Sequence, residues 1–312
     1  MQRYIQKRLL GFVVVLIGVS ILSFLLLAFS GKDPAESIAR RANINASEEL
    51  IKTVRVERGL DKPLPVRYAS WIKGFFTGDL GTSLYSSRSI SQDLAEYFPV
   101  TLALVGLSMA WVILLGVPIS LLCVRFRNSA VDHTARGVTM LGICIPTFWL
   151  GFLLLLAFAV EIPIFKVTPE PGIKGYILPS FALAFPIACG LVRLFRSTLL
   201  SELSSDYVRY AKARGLAPGR ILVHHVMRNA LPPIVTLFCQ YLGYLIAGSA
   251  VVESVFSIKG IGSYLIACVM ASDATSVVTC IVIIAAIFVL ANLIGDIVNR
   301  LLCPWMVRKS NA

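Results

Sequence analysis

The chain has 312 residues, of which 57% are hydrophobic and only 15% are charged, and its formal net charge is +12. This is far more apolar surface than one soluble core of this length needs, so the composition excludes an ordinary soluble protein and predicts an all-α integral membrane protein. The basic excess does not indicate nucleic-acid binding, because a membrane protein concentrates Lys and Arg in its cytoplasmic loops.

Six apolar stretches meet or approach the roughly twenty residues that a helix needs to cross a bilayer. They are residues 9–29, 99–124, 138–160, 177–192, 231–252 and 277–293. The first stretch, which follows Arg3, Lys7 and Arg8, is longer than the apolar part of a cleaved signal and predicts a retained span. With both termini in the cytoplasm, 16 of the 29 basic residues but only 4 of the 17 acidic residues lie on the cytoplasmic side. We therefore predict a multi-pass protein of the bacterial cytoplasmic (inner) membrane.

These spans divide the chain into an N-terminal tail and first helix (1–30), an extracytoplasmic segment (31–97), a five-helix core (98–302) and a cytoplasmic tail (303–312). In the extracytoplasmic segment, residues 33–58 predict a charged surface helix with Ser47 as a helix N-cap. Backbone breaks are then predicted around a group of aromatic residues, at Pro63, Pro65, Gly74, Gly78 and Gly81. Residues 252–275 predict a helix that re-enters the membrane or lies in its outer interface.

Several kinds of chemistry have no residues here to perform them. The chain contains no GxxxxGK[ST] phosphate-binding loop, and the middles of the six spans contain no ionisable residue of the kind that coupled carriers use. His133, His224 and His225 fall in predicted cytoplasmic loops, and the seven cysteines have no CxxC spacing. We expect no catalytic, cofactor or metal site on this chain. The function that remains is a membrane conduit whose energy comes from another polypeptide. The alternative is a secondary carrier or channel that works without ATPase subunits.

A basic segment between the fourth and fifth spans is the candidate for that connection. It reads DYVRYAKARGLAPGRILVHHVMRNALPP and begins at Asp206. The pattern predicts a helix over 206–214, a left-handed turn at Gly215 and a second helix over 220–229 that Pro218 helps to start. Pro232 and Pro233 would then mark entry into the fifth span. Such a projecting hairpin fits a groove in a soluble partner, although an ordinary solvated loop explains the composition equally well.

This segment resembles the EAA loop of ABC-transporter permeases, in which Glu-Ala-Ala-x3-Gly forms a coupling helix. Ala211 and Gly215 match that general pattern, and DYVRYAKARGL with HHVMRNALPPIV matches the version found in dipeptide, oligopeptide and nickel importers. RYIQKRLL, GLDKPLPVRYASWIKGFFTGDLGTS, IPTFWLGFLL and VVESVFSIKGIG extend the resemblance to the first permease subunit over nearly the whole chain. The chain departs from the family pattern at 258–262, 273–275 and 303–304, which puts the substrate and the contacts with a binding protein in doubt.

The resemblance implies a six-transmembrane-helix permease fold with an extracytoplasmic cap and a coupling loop over 201–230. It also implies a homologous second permease subunit, two ATP-binding subunits that carry the ATP, an extracytoplasmic solute-binding protein and surrounding membrane lipid. The implied ATPase-coupling residues are Tyr207, Arg209, Tyr210, Ala211, Lys212, Arg214, Gly215, Leu216, Arg228 and Asn229. Among them, Arg209, Lys212 and Arg214 would orient docking, Ala211 would allow close approach, and Gly215 would set the turn.

Two substrate classes fit this family, short peptides and nickel or another metal carried in a chelate. The outer half of the chain has no histidine and residues 31–97 have no cysteine, so a relay for bare soft metal ions is poorly supported. A wrapped metal or a peptide needs no such ligands. The overall spacing resembles the nickel permease somewhat more closely, which slightly favours a metal chelate.

Overall fold

The chain is helical in all its long elements in a computed structural model, which describes residues 2–29, 33–43 and 45–302. The first helices are α1 Gln2–Ala28, α2 Pro34–Ala42, α3 Glu48–Glu57, α4 Leu64–Thr77, α5 Ile90–Arg125, α6 Ala130–Cys144 and α7 Thr147–Leu155. The others are α8 Lys174–Leu203, α9 Asp206–Ala213, α10 Pro218–Arg220, α11 Met227–Val255, α12 Ile261–Met270 and α13 Ala274–Leu302. The predicted all-α class is confirmed, and the predicted tail at 303–312 lies outside the described residues.

All six predicted apolar stretches fall on helices. Four helical segments are long and apolar enough to cross a membrane, namely Ile90–Arg125, Lys174–Leu203, Pro218–Val255 and Ala274–Arg300. The pair α6 and α7, extended by a π-helical turn at Leu156–Glu161, makes a fifth if it forms one span. In α1 the apolar part is the 17-residue stretch Leu10–Leu26.

The span predicted over 138–160 is broken near its start. α6 and α7 are bent by 102° at Ile145 and Pro146. Pro146 has no N–H for the helical ladder, and its ring forces the preceding residue towards extended backbone, which Ile145 adopts with ψ 120°. The proline therefore ends α6, and α7 starts in a new direction.

The described residues divide into two compact units. One contains the chain up to Thr101 together with Ile258–Val289, and the other contains Leu102–Ser257 together with the residues from Leu290 onward. Each unit therefore combines segments that are distant in sequence.

The first unit contains the cap helices α2, α3 and α4. Ser47 caps α3 as predicted, because its side chain accepts a hydrogen bond of 3.3 Å from the Leu50 N–H. The break predicted at Gly74 does not occur, and α4 continues through it. A Cβ at Gly74 would lie 2.4 Å from the carbonyl oxygen of Asp79, so this glycine permits close packing of the chain that follows the helix. Pro65 lies in the first turn of α4, where its missing N–H costs nothing.

A buried carboxylate organises the rest of this unit. Asp273 is fully buried and accepts hydrogen bonds from Ser83 Oγ at 2.8 Å, the Leu84 N–H at 2.7 Å and Ser276 Oγ at 2.6 Å. These donors compensate the cost of removing the charge from water. Asp273 thus fixes the loop before α5 to the start of α13. The predicted helix after Gly260 is confirmed as α12, and its depth in the bilayer stays a prediction.

The second unit has a core of apolar side chains from α5, α8, α9 and α11. Its largest fully buried side chains include Phe195, Leu191 and Leu199 on α8. Pro179 and Pro186 lie inside α8 without ending it. Membrane helices tolerate such prolines because neighbouring groups satisfy the backbone carbonyls that the proline leaves without a donor.

Candidate functional site

The candidate site is the hairpin formed by residues 201–230, and α9 gives it an inner and an outer face. On the inner face, Val208 is fully buried and Ala211 is 6% exposed, and both belong to the core of the second unit. On the outer face, Arg209, Tyr210 and Lys212 are exposed. Residues three apart share one side of a helix, so this separation follows from the Val-x-x-Ala spacing.

The placement of Ala211 changes the role that its small size can have. The family resemblance implied that Ala211 admits a partner at close range. The structure places its side chain among Val208, Ile221 and Val226 in the chain's own core. A small residue there allows α9 to pack closely on the neighbouring helices of this chain.

The turn after α9 has the geometry that the sequence predicted. Gly215 has φ 76°, in the left-handed region that other residues rarely adopt. Its N–H donates to the Lys212 carbonyl at 2.9 Å, and the Leu216 N–H donates to the Ala211 carbonyl at 3.2 Å. These two bonds form a Schellman motif, in which a glycine ends the helix and the next apolar residue returns to its core. Leu216 accordingly packs against the core of the second unit.

The second half of the hairpin differs in part from its prediction. Pro218 starts α10 as predicted, but the helix then passes through a π-helical segment, Ile221–Val226, and continues as α11 to Val255. Pro232 and Pro233 lie inside α11, so the second helix of the hairpin, predicted to end at Asn229, continues through both prolines. π-helical turns and membrane surroundings both accommodate the backbone bonds that prolines remove.

Tyr207 joins both ends of the hairpin. Its hydroxyl donates a hydrogen bond of 2.8 Å to Glu202 Oε2 at the end of α8, and its side chain also hydrogen-bonds that of Asn229 on α11. Burial is the main cause that raises the pKa of Tyr207 above its usual value. Tyr207 and Asn229 are therefore part of the framework that holds α9, whereas Arg228 is exposed.

The outer face is basic. Arg209, Lys212 and Arg214 are all exposed, and the Arg214 guanidinium lies 5.8 Å from the centre of the Tyr210 ring. Arg209 lies 3.6 Å from Asp206, but both side chains are mostly in water, so this ion pair contributes little to stability. Such a face can dock on a protein surface through charge and an aromatic ring.

An ion pair that has no local sequence signal fixes the helix leading into the hairpin. Asp132 at the start of α6 is fully buried and accepts 2.6 Å hydrogen bonds from Nε and Nη2 of Arg196 on α8. The Asn128 N–H also donates to Asp132 at 3.0 Å. Asp132 was assigned only to a cytoplasmic loop, because residues 64 apart give no local pattern. Val208 was also not selected, although its spacing from Ala211 is a recognisable sign of a buried stripe.

The chain has long apolar helices and a basic hairpin anchored in their core, which fits a permease subunit of a membrane transporter. The chain belongs to the family of binding-protein-dependent transport system inner membrane components. The model of this family matches residues 116–308, and the model of its N-terminal membrane component matches residues 1–105.

The curated relatives are similar over almost their full length. Glutathione transport system permease proteins GsiC of Salmonella typhi and of Escherichia coli strain K12 are each 34% identical over 304 residues, covering 97% of this chain and 98% of the relative. The inward-facing MetNI methionine ABC transporter contains a chain of similar fold, with a TM-score of 0.58 and 21% identity. That match covers 67% of this chain and 95% of the other, and it shows the fold alone.

Proposed function

We propose that this permease subunit takes up short peptides of the glutathione type through an importer driven by ATP on partner subunits. The observation that carries the coupling part of this proposal is the two-faced helix α9. Its inner face is fixed in the permease core by Val208 and Ala211, and its outer face presents Arg209, Tyr210 and Lys212 to solvent. A helix with this arrangement transmits a push at its outer face to the membrane helices.

The complete importer would contain a homologous second permease, two ATP-binding subunits and an extracytoplasmic solute-binding protein. The ATP-binding subunits would hold the hairpin from the cytoplasm, with both termini of this chain on the same side. ATP-driven closure would move α9, and the links from Tyr207 to Glu202 and Asn229 would pass the movement to α8 and α11. Coupling of this kind requires a rigid element shared by two states of the transporter.

The substrate proposal is supported by the relatives, whose names state glutathione transport at 34% identity. A short peptide is one of the two classes that the sequence left open. The slight sequence-based preference for nickel or a metal chelate stays a prediction, and we place it second.

Uptake measurements separate the two substrates. A strain lacking this chain should lose accumulation of labelled glutathione from dilute medium, and the intact gene should restore it. Labelled dipeptide and nickel are measured in the same strains. Restoration of nickel but not of glutathione or dipeptide uptake would contradict the peptide assignment. Active accumulation by the purified chain reconstituted alone would contradict its dependence on ATPase subunits.

A further inference from the structure

A cavity of about 250 Å³ lies in the first compact unit, next to the ends of two apolar helices. Phe24, near the end of the apolar stretch Leu10–Leu26 of α1, lines it. Ala274 and Thr275, the first residues of α13, line it as well. A helix leaves the hydrocarbon where its apolar stretch ends, so the cavity lies at the level of the lipid headgroups.

Helix α4 lies against α1 and lines the cavity with Arg67, Ser70 and Trp71. The Tyr68 hydroxyl and Ser20 Oγ are 2.7 Å apart, and the rings of Tyr68 and Phe24 have centres 5.5 Å apart. Trp71 lines the cavity and donates a hydrogen bond of 3.1 Å from Nε1 to Thr279 Oγ1. Tyr and Trp with a buried ring and a hydrogen-bonded polar atom are typical of the membrane interface. One wall of the cavity is therefore apolar and rigid.

The cavity also carries positive charge, part of it beside the aromatic residues, since the Arg67 guanidinium lies 5.8 Å from the centre of the Phe24 ring. The cavity is lined by the basic residues Arg58, Lys62 and Arg67 and by the acidic residue Asp79. Asp79 accepts a hydrogen bond of 3.1 Å from the Gly81 N–H. Burial lowers the pKa of the Arg67 guanidinium, so this cation is partly withdrawn from water. Asp33 also acts on Arg67 through its charge, but it is paired with Arg55, so the three lining cations outnumber Asp79 and leave the cavity attractive to an anion.

We propose that this cavity binds the headgroup of an anionic phospholipid from the leaflet on the cap side. Arg58, Lys62 and Arg67 hold the phosphate, and the glycerol and upper acyl chains lie against Phe24 and Trp71. A free phosphate or a dissolved carboxylate presents the same anion chemistry, but it has no apolar part to lie against Phe24 and Trp71. The proposal rests on insertion of this family in a membrane and is independent of the transported solute.

Trp71 makes the proposal measurable. The full-length chain is placed in nanodiscs of unlabelled phosphatidylcholine that contain a small fraction of a brominated lipid. This lipid is either phosphatidylglycerol or phosphatidylcholine, and each is brominated on the upper part of its acyl chain. Subtracting the signal of Trp71→Phe isolates the fluorescence of Trp71. We expect stronger quenching by brominated phosphatidylglycerol than by brominated phosphatidylcholine. One surface cation contributes about 1 kcal/mol to anionic lipid binding. Lys62→Glu should therefore raise the fraction of phosphatidylglycerol needed for half-maximal quenching by about fivefold or more.

Lys73→Glu is the matched control, since Lys73 is an exposed cation on α4 that does not line the cavity. It should keep the preference for phosphatidylglycerol. Lys62→Gln removes the charge without reversing it, and we expect it to weaken phosphatidylglycerol binding less than Lys62→Glu does. Equal quenching by the two brominated lipids in the unmodified protein would overturn the proposal. Loss of phosphatidylglycerol quenching on adding inorganic phosphate or glutathione to the buffer, at constant ionic strength, would assign the cavity to a dissolved anion and also overturn it.

Discussion

Arg196 donates two hydrogen bonds of 2.6 Å to the two carboxylate oxygens of Asp132, joining α8 to the start of α6 within the second unit. The carboxylate is fully buried, and only 17% of the arginine side chain is exposed. A bidentate pair with this geometry fixes the direction of both helices. α8 leads directly into the hairpin, so the position of α9 depends on this pair.

Breaking this pair should destabilise the protein. Asp132→Asn leaves a buried guanidinium without its charge partner, and we expect a loss on the order of 3 kcal/mol. Thermal unfolding of the purified full-length chain in detergent measures it. Arg193→Gln is the control, because Arg193 is an exposed residue on α8, the helix that carries Arg196, and this change should alter stability little. Adding Arg196→Gln to Asp132→Asn should recover part of the loss, and strictly additive losses would contradict a direct pair.

Gly215 should be needed for coupling and not for insertion. At position 215 there is room for a Cβ, because no atom lies within 4 Å of it. Holding a residue other than glycine at φ 76° nevertheless costs about 1–2 kcal/mol of conformational energy. Gly215→Val should therefore keep normal membrane levels but reduce solute uptake much more than ATP hydrolysis by the assembled importer. Gly215→Asn, which tolerates the left-handed region, should retain more uptake. Equal uptake by the Val and Asn variants would show that backbone strain is not the cause.

Reversing charge on the outer face should weaken assembly. Lys212→Glu and Arg209→Glu each change an exposed side chain that does not contribute to the core. We expect less co-purification of the ATP-binding subunits, and a smaller difference from the unmodified protein at higher salt, because salt screens the interaction between exposed charges. Lys52→Glu on α3 is the control and should leave co-purification unchanged. If Lys212→Glu also retains full assembly, the outer face is not the docking surface.

The hydroxyl of Tyr207 should matter for the transmission of movement. Tyr207→Phe keeps the ring in place but removes the hydrogen bonds to Glu202 and Asn229, at a cost of about 1 kcal/mol. Uptake should fall while co-purification of the ATP-binding subunits is kept. Asn229→Ala tests the same link. If the two residues act through one hydrogen bond, the double variant loses less uptake than the sum of the two single losses. Losses of uptake that add up fully in the double variant would disprove the link.

Much of the hairpin could be predicted because its signals are local. The left-handed turn at Gly215 and the helix start at Pro218 depend on the conformational limits of single residues, and the structure confirms both. The continuation of α11 through Pro232 and Pro233 was not predictable in the same way. A proline interrupts a helix or is absorbed by it according to the groups that surround it.

The sequence by itself determined that the protein is a helical membrane permease and placed the basic hairpin between two apolar helices. Hydrophobic length, charge distribution and turn residues act within a few positions, so they can be recognised along the chain. Only the tertiary structure decided that Ala211 faces the core, that Asp132 meets Arg196, and that Arg58, Lys62 and Arg67 line one cavity with Trp71. Asp132 and Arg196 are far apart in sequence, and which side chains of α9 and of residues 58–71 face the core or the cavity is set by how the helices pack.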